Sequence, residues 1–373
     1  MSQDSIPDTS LDEILIFRYR LMPCGYVLPH TDNYNRLLWY LDYATINVEA
    51  VAHTIQSSES LRSQFMQFEH MLKRVNKQEE QTGRLSGVRH IIDLNGYEIN
   101  PFTMFFVTNG NLAYYSQLLH FENYPDLVTP MEMVNVPKWL HVPYKIAKTM
   151  MPDGFNDRFR LHDDNFLNAL LKDINIEHIP QTLGGYNEVT QLSHSMQKIK
   201  TIPAQKLTNE KFWKPTDMEL ISALETFHIS PRKVRQIHVD VTDANNSLLW
   251  YYSTDGDIYF GVFYQPFDEA ISNNTITNNT RHEKEIDYDR LEMVYPWWKL
   301  AARIVHESGR IQCTKPGRYW FVFCNKLSWL QKRTVHLNVQ LTDGSCTKRC
   351  HMDGTMSNAE ITIQTDQTLH LSL

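Results

Sequence analysis

The chain has 373 residues, 42% hydrophobic and 12% aromatic, enough to fill the cores of two domains of ordinary size. A formal net charge of −7 excludes a global cationic footprint for nucleic acid, and no apolar run approaches the ~18 residues of a membrane span. Five widely spaced cysteines exclude a disulfide framework, and the polar, acidic stretch from Met1 to Glu13 lacks the basic and apolar parts of a signal peptide, so a cytoplasmic protein, at most peripheral to membranes, is expected.

Residues 1–30 read as irregular apart from the apolar run Ile14 to Phe17. Leu37 to Asp42 is a predicted strand. Ser57 or Ser58 then caps a helix whose Leu61, Phe65, Phe68, Met71, Leu72 and Val75 follow the 3.6-residue period, with Lys73 to Glu80 as its solvated end. Val88 to Leu94 is a second strand. Asn100 and Pro101 mark the start of a helix running to Leu119, and Pro125 stops it. Met131 to Val136 is a third strand, so strand, crossover helix and strand imply a parallel pair. Lys138 to Met151 reads as a helix, Arg158 to His162 as a short strand, and Asn165 as the cap of a last helix from Phe166 to Asp173. Strands alternating with helices indicate an α/β domain over 31–186.

Residues 187–231 form a lysine-rich linker with one helix, entered by the capping box Thr216-x-x-Glu219 and carrying Leu220, Leu224 and Phe227 on its apolar face. From Pro231 the period becomes two. Val234–Val241, Leu248–Tyr252, Ile258–Val262, Leu300–Ile304, Tyr319–Phe323 and Val335–Leu341 suit half-buried antiparallel strands of a sandwich over 232–342. The tail, 343–373, offers a further hairpin, Ile361–Ile363 with Leu369–Leu371.

Chemistry is sparse. The turn after Leu94 offers one glycine, Gly96, and Pro137-Lys138-Trp139 follows the next strand, so neither a dinucleotide fingerprint nor a phosphate loop is present. His162-Asp163-Asp164 reads as a polar loop. Cys346, Cys350 and His351 lack the second ligand pair of a structural zinc site. No catalytic constellation stands out, so neither enzyme, metal nor cofactor is expected.

The run Glu122-Asn123-Tyr124-Pro125-Asp126, with Ile179-Pro180 and Leu183-Gly184-Gly185 closing the region, resembles the CRAL-TRIO lipid-transfer family over about residues 30–185. Asp255-Gly256-Asp257-Ile258-Tyr259-Phe260-Gly261-Val262-Phe263 and Cys313-Thr314-Lys315-Pro316-Gly317-Arg318-Tyr319 look like the GOLD (Golgi dynamics) domain, and the tandem order is that of the supernatant protein factor group. The helical segment with which the family usually begins has no match in the residues before the matched region. The resemblance implies an α/β CRAL-TRIO domain whose parallel-type sheet floors a lipid pocket, followed by an all-β, jelly-roll-like GOLD sandwich.

It also implies function. The family's headgroup contacts fall on Asp126 and Arg158, and its phosphatidylcholine cradle on the strand where Val88, Arg89 and His90 stand; Arg89 or His90 would there meet an anionic group. The family's mobile gate helix falls on 138–151, where Trp139, Val142, Ile146 and Met150 make an apolar stripe beside Lys138, Lys145 and Lys148. In the second domain Trp297, Lys326, Lys332 and Arg333 mix aromatics with cations and suit an anionic membrane or a partner. Expected partners are a phospholipid such as phosphatidylinositol or an isoprenoid, a peripheral contact with Golgi or other internal membranes, and a trafficking protein; nucleic acid is not expected. The other reading is a trafficking adaptor whose pocket has filled in.

Overall fold

A computed structural model describes residues 24–42, 53, 55–96, 123, 124, 127, 130–149, 158–187, 214, 215, 218–267 and 287–363. The helix expected over 101–119 and the strand expected over 369–371 lie outside them. The chain divides into two units, Met1–Val51 with Leu61–Glu210, and Ala52–Ser60 with Lys211–Leu373.

The first unit is built on a five-stranded sheet in the order β1 (Cys24–Thr31), β2 (Leu37–Asp42), β3 (Val88–Asp93), β4 (Met131–Val134), β5 (Phe159–Leu161). β1 pairs with β2 antiparallel; the other neighbours are parallel. The segment read as irregular up to residue 30 is therefore a strand from Cys24 onward, joined to β2 by a tight turn at Asn35, which takes φ +67°. Helix α1 (Ser57–Thr82) follows its predicted apolar spacing, and Phe68, Met71 and Val75 bury against the sheet. It ends at Gly83, whose φ of +64° an L side chain takes with strain.

Because strand residues alternate, β3 sends Ile91 to one face and Val88 and Ile92 to the other. The first face packs with Leu38, Tyr40 and Val134 against Leu170, Ile174, Ile179 and Leu183. The second packs with Trp39, Met131 and Phe159 against α1 and against Leu140 and Tyr144 of the segment after β4. That segment is a 3-10 turn, Lys138–Leu140, running into α2 (His141–Thr149). Pro143 explains the change of winding, since it has no N–H to give the carbonyl of Trp139. The last predicted helix is shorter than expected: α3 spans Phe166–Leu170, turns follow, and Asn165 precedes it with no side-chain capping bond.

The second unit is a two-sheet antiparallel sandwich. One sheet orders β10 (Glu292–Leu300), β9 (Ile258–Gln265), β12 (Gly317–Cys324) and β7 (Val234–Val241). The other orders β11 (Glu307–Gln312), β8 (Ser247–Thr254), β13 (Arg333–Thr342), β14 (Thr347–Cys350) and β15 (Met356–Asn358), with β6 (Glu225–Ile229) also on β13. The predicted inward residues Trp250, Phe260 and Phe321 meet in its core, 5.8 Å and 5.9 Å from Trp250 to the two phenylalanines, ring centre to ring centre, and Tyr295 of β10 joins them 4.8 Å from Trp250. Each such buried ring contributes roughly 2–3 kcal/mol through area alone. Gly309 makes room, because a Cβ there would fall within 2.2 Å of the Trp250 ring. The outer face of β8 is covered by Leu220 and Ile221 of α4 (Met218–Ser222) and by Ile361 and Ile363.

In this unit three further expectations change. Phe227 belongs to β6, not to the linker helix, because the chain turns at Ala223 and Leu224 to pair with β13. Leu300–Ile304 is not a strand: β10 ends at Leu300, and Ala302 is buried from a loop. Ile363 lies in no strand; its N–H donates to the Gln340 side chain, while the hairpin of this region is β14–β15.

Candidate functional site

Each face of the first unit's sheet carries a buried polar feature. On the face with Ile91, Arg89 and Glu132 are each 1% exposed. Arg89 donates from Nε (3.0 Å) and Nη2 (2.6 Å) to Glu132 Oε1, and from Nη1 to Asp173 (2.9 Å) and Asp32 (3.4 Å). Glu132 also accepts from Arg160 at 3.0 Å and from His162 Nε2 at 2.6 Å, and Arg36 donates to Asp32 at 2.7 Å. Burial pushes the Glu132 carboxyl up, but the His162 bond and the Arg89 and Arg160 charges outweigh it and leave the pKa lowered. Arg89 is held charged against burial by Glu132 and Asp173. This cluster was not read from the sequence. Its signal was an acidic residue inside the short apolar strand Met131–Val134, which a buried strand accommodates only beside an opposite charge.

On the other face stands His90, 2% exposed and flanked in register by Trp39 of β2 and Met131 of β4. Its Nε2 donates to the Leu127 carbonyl at 2.7 Å, and Nδ1 is buried with no hydrogen-bond partner. Burial lowers its pKa to about 4, so the ring is neutral at ordinary pH. Arg89 and His90 are thus neighbours in sequence on opposite faces of the sheet. Arg158 is exposed at the entry to β5. Asp126 lies outside the described residues.

The segment that closes over the His90 face is fastened at its start. Asn135 takes φ +51° and donates from Nδ2 to Asp93 at the end of β3 (2.8 Å), while Tyr40 donates to the other Asp93 oxygen (2.9 Å). Leu140 and Tyr144 point to the sheet, and the Tyr144 hydroxyl donates to the Phe159 carbonyl at 2.7 Å. Of the predicted stripe, Trp139 is half-buried and Val142 is 65% exposed, with Lys138 and Lys145 also exposed. The Ile146 side chain and Met150 lie outside the description.

In the second unit, Trp297 is half-buried, stacked near Tyr259 and Tyr288 on the outer face of β9–β10. The loop before β13 is more exposed: Leu327 is 64%, Trp329 77% and Leu330 91% exposed. Its backbone is nevertheless tied. Asn325 donates from Nδ2 to the carbonyls of Ile229, Ser230 and Gln331, and Ser328 bonds Gln331 in both directions. The Arg232 guanidinium sits 4.1 Å from the Trp329 ring centre. Lys326 and Lys332 are exposed beside it, and Arg333 donates to the Asp257 carbonyl. Cys346 is exposed, Cys350 is buried, and His351 bonds Glu225 at 2.6 Å.

Residues 23–185 match the model of the CRAL/TRIO domain, and residues 209–348 that of the F28H7_8_C-like, C-terminal domain. The chain is similar to the CRAL-TRIO domain-containing protein F28H7.8 of Caenorhabditis elegans, 23% identical over 295 residues, which is 79% of this chain and 66% of that protein's length.

Proposed function

We propose, from the premise that residues 23–185 are a CRAL/TRIO domain, that this unit holds a hydrophobic lipid and moves or presents it between membranes without altering it chemically. CRAL/TRIO domains bind hydrophobic lipid ligands. The observation that carries the reading is the 3-10 turn with α2: they lie over the apolar face through Leu140 and Tyr144 while Val142, Lys138 and Lys145 remain exposed. A helix with an apolar residue outward between lysines suits a gate that dips into a membrane interface. Trp139, Val142, Ile146 and Met150 are the residues that would enter. Burial of the ligand's chain, about 0.8 kcal/mol per methylene, would drive binding. Asp126 and Arg158 are the headgroup candidates for a phospholipid such as phosphatidylinositol; an isoprenoid or tocopherol-like ligand would bypass them. Arg89, committed to carboxylates, is read as an anchor of the sheet.

The second unit, read as a GOLD sandwich, docks the carrier to Golgi or other internal membranes or to a trafficking partner. Leu327, Trp329 and Leu330, exposed on a tied loop beside Lys326, Lys332 and Arg232, support an anionic membrane as its surface. Trp297 and Arg333 are further candidates for contact with that membrane or partner.

Native mass spectrometry with lipid extraction tests the core of the proposal. One lipid per chain, or uptake of labelled phospholipid, sterol or tocopherol, is expected. A protein that emerges empty and takes up none of them is an adaptor instead. For the gate, Trp139→Asp is expected to slow vesicle-to-vesicle transfer with an unchanged melting temperature; unaltered transfer removes the gate.

A further inference from the structure

His90 occupies a strand whose six residues are all buried, between Trp39 and Met131. None of the apolar side chains beside it on that face, Val88, Ile92, Trp39 or Met131, brings a donor to its ring in the structure. The state of the ring follows from one contact. The carbonyl of Leu127 can only accept, so Nε2, 2.7 Å away, must carry a proton. Burial keeps the imidazole neutral, which leaves one proton in all. Nδ1 is then a bare lone pair, wholly buried and without a partner. An acceptor left in that condition has lost its water without gaining a donor, and a leucine or phenylalanine at this position would avoid that loss.

The lone pair discriminates by chemistry. It accepts from a hydroxyl or an N–H, and it has nothing to offer a phosphate or carboxylate oxygen, which carries no proton. The cationic side chain next to it in sequence, Arg89, faces the other side of the sheet and is taken up by Glu132, Asp173 and Asp32. With Nε2 given to Leu127, His90 has no proton left to offer the anionic group expected there from the sequence.

We propose that Nδ1 of His90 accepts a hydrogen bond from the hydroxyl of a neutral lipid alcohol bound on this face of the sheet. The proposal rests on the lipid-binding reading and sharpens it, because it names the end of the ligand that the protein reads. The alcohol would be apolar elsewhere, since Trp39, Met131, Val88 and Ile92 surround the acceptor. His90 acts by recognition alone: the proton stays on the ligand oxygen and no bond breaks.

The test uses the full chain and three matched probes, cholesterol, its methyl ether and the parent hydrocarbon cholestane, competing with a fluorescent sterol. The unsubstituted chain is expected to bind the alcohol about tenfold more tightly than the ether. His90→Leu is expected to bind alcohol and ether alike. His90→Gln keeps a donor for Leu127 and an acceptor for the ligand, and is expected to retain the preference; it also guards against a leucine variant that fails to fold. In ¹⁵N spectra the Nδ1 resonance of His90 is expected to move on adding the alcohol and not the ether. Equal binding of alcohol and ether by the unsubstituted chain overturns the proposal, assigns the acceptor to a buried water and leaves lipid carriage standing. If no sterol probe binds while a phospholipid does, the proposal likewise falls alone. Failure of every probe and every phospholipid overturns the carrier reading with it.

Discussion

Arg89 and Glu132, each 1% exposed, meet across the adjacent parallel strands β3 and β4 through bonds of 3.0 and 2.6 Å to a single carboxylate oxygen. Removing one member strands the other in a site poor in water. Arg89→Met is expected to destabilise the first unit by about 3 kcal/mol or more, read as a fall in the urea midpoint. The double variant Arg89→Met with Glu132→Leu should cost less than the sum of the singles by at least about 1 kcal/mol. Strict additivity would mean that the two charges do not support each other.

Asn135 holds the backbone before α2 in the left-handed region and ties it to Asp93. Asn135→Ala loses the bond and strains φ; Asn135→Gly loses only the bond. The alanine variant is expected to lose roughly 1–2 kcal/mol and the glycine variant less, measured by thermal unfolding. The same order should appear in lipid transfer if this turn sets how α2 leaves the sheet. A glycine variant worse than alanine would contradict the strain argument.

Glu307 gives a pH dependence whose sign can be worked out. It is buried within the second unit, where Ser58 donates to it from the backbone N–H (3.0 Å) and from Oγ (2.5 Å). Burial raises its pKa from 4.5 to about 7. The folded state therefore favours the protonated carboxyl. That contribution is full below about pH 4.5, fades as pH rises and is gone above about pH 7. Glu307→Gln mimics the protonated form, so its stability relative to the parent should rise across this window, by up to roughly 3 kcal/mol. Urea midpoints in a pH series measure it; parallel curves for parent and variant would remove the buried carboxyl as the cause.

The loop at Leu327–Leu330 predicts a surface effect without a stability effect. Trp329→Ser with Leu330→Ser is expected to weaken binding to phosphatidylserine-containing vesicles roughly tenfold or more, since both side chains are already exposed and removing them opens no cavity. Lys326→Glu with Lys332→Glu should weaken binding to anionic vesicles and leave neutral ones unaffected. Sedimentation with vesicles separates the two effects.

Legibility tracked the strength of periodicity. β2, β3 and β4 were plain because buried parallel strands are continuous apolar runs, and α1 because six apolar residues keep one face. β1 was missed because Gly25, Pro29 and His30 interrupt the alternation in an edge strand. β10 was missed for a related reason: register shifts between Met293 and Tyr295 and between Tyr295 and Trp298 destroy its period of two. β11 carries an edge sequence, Glu-Ser-Gly-Arg-Ile-Gln, with too little apolar content to register. At the site, the strand that carries His90 was legible. The opposite facing of Arg89 and His90, and the meeting of Arg89 with Glu132 forty-three residues away, depend on which strands become neighbours.

β13 shares one of its edges between two short strands: β6 pairs with Arg333–Leu337 and β14 with Val339–Thr342. The second of these partners follows within a few residues and forms a local hairpin. The first arrives from about a hundred residues upstream, so its docking must await a large loop closure. Assembly of this sheet should accordingly be biphasic, with the β13–β14 hairpin protected against hydrogen exchange before the amides of Phe227 and Ile229. Proteases admitted early in refolding should cut at the late-arriving strand.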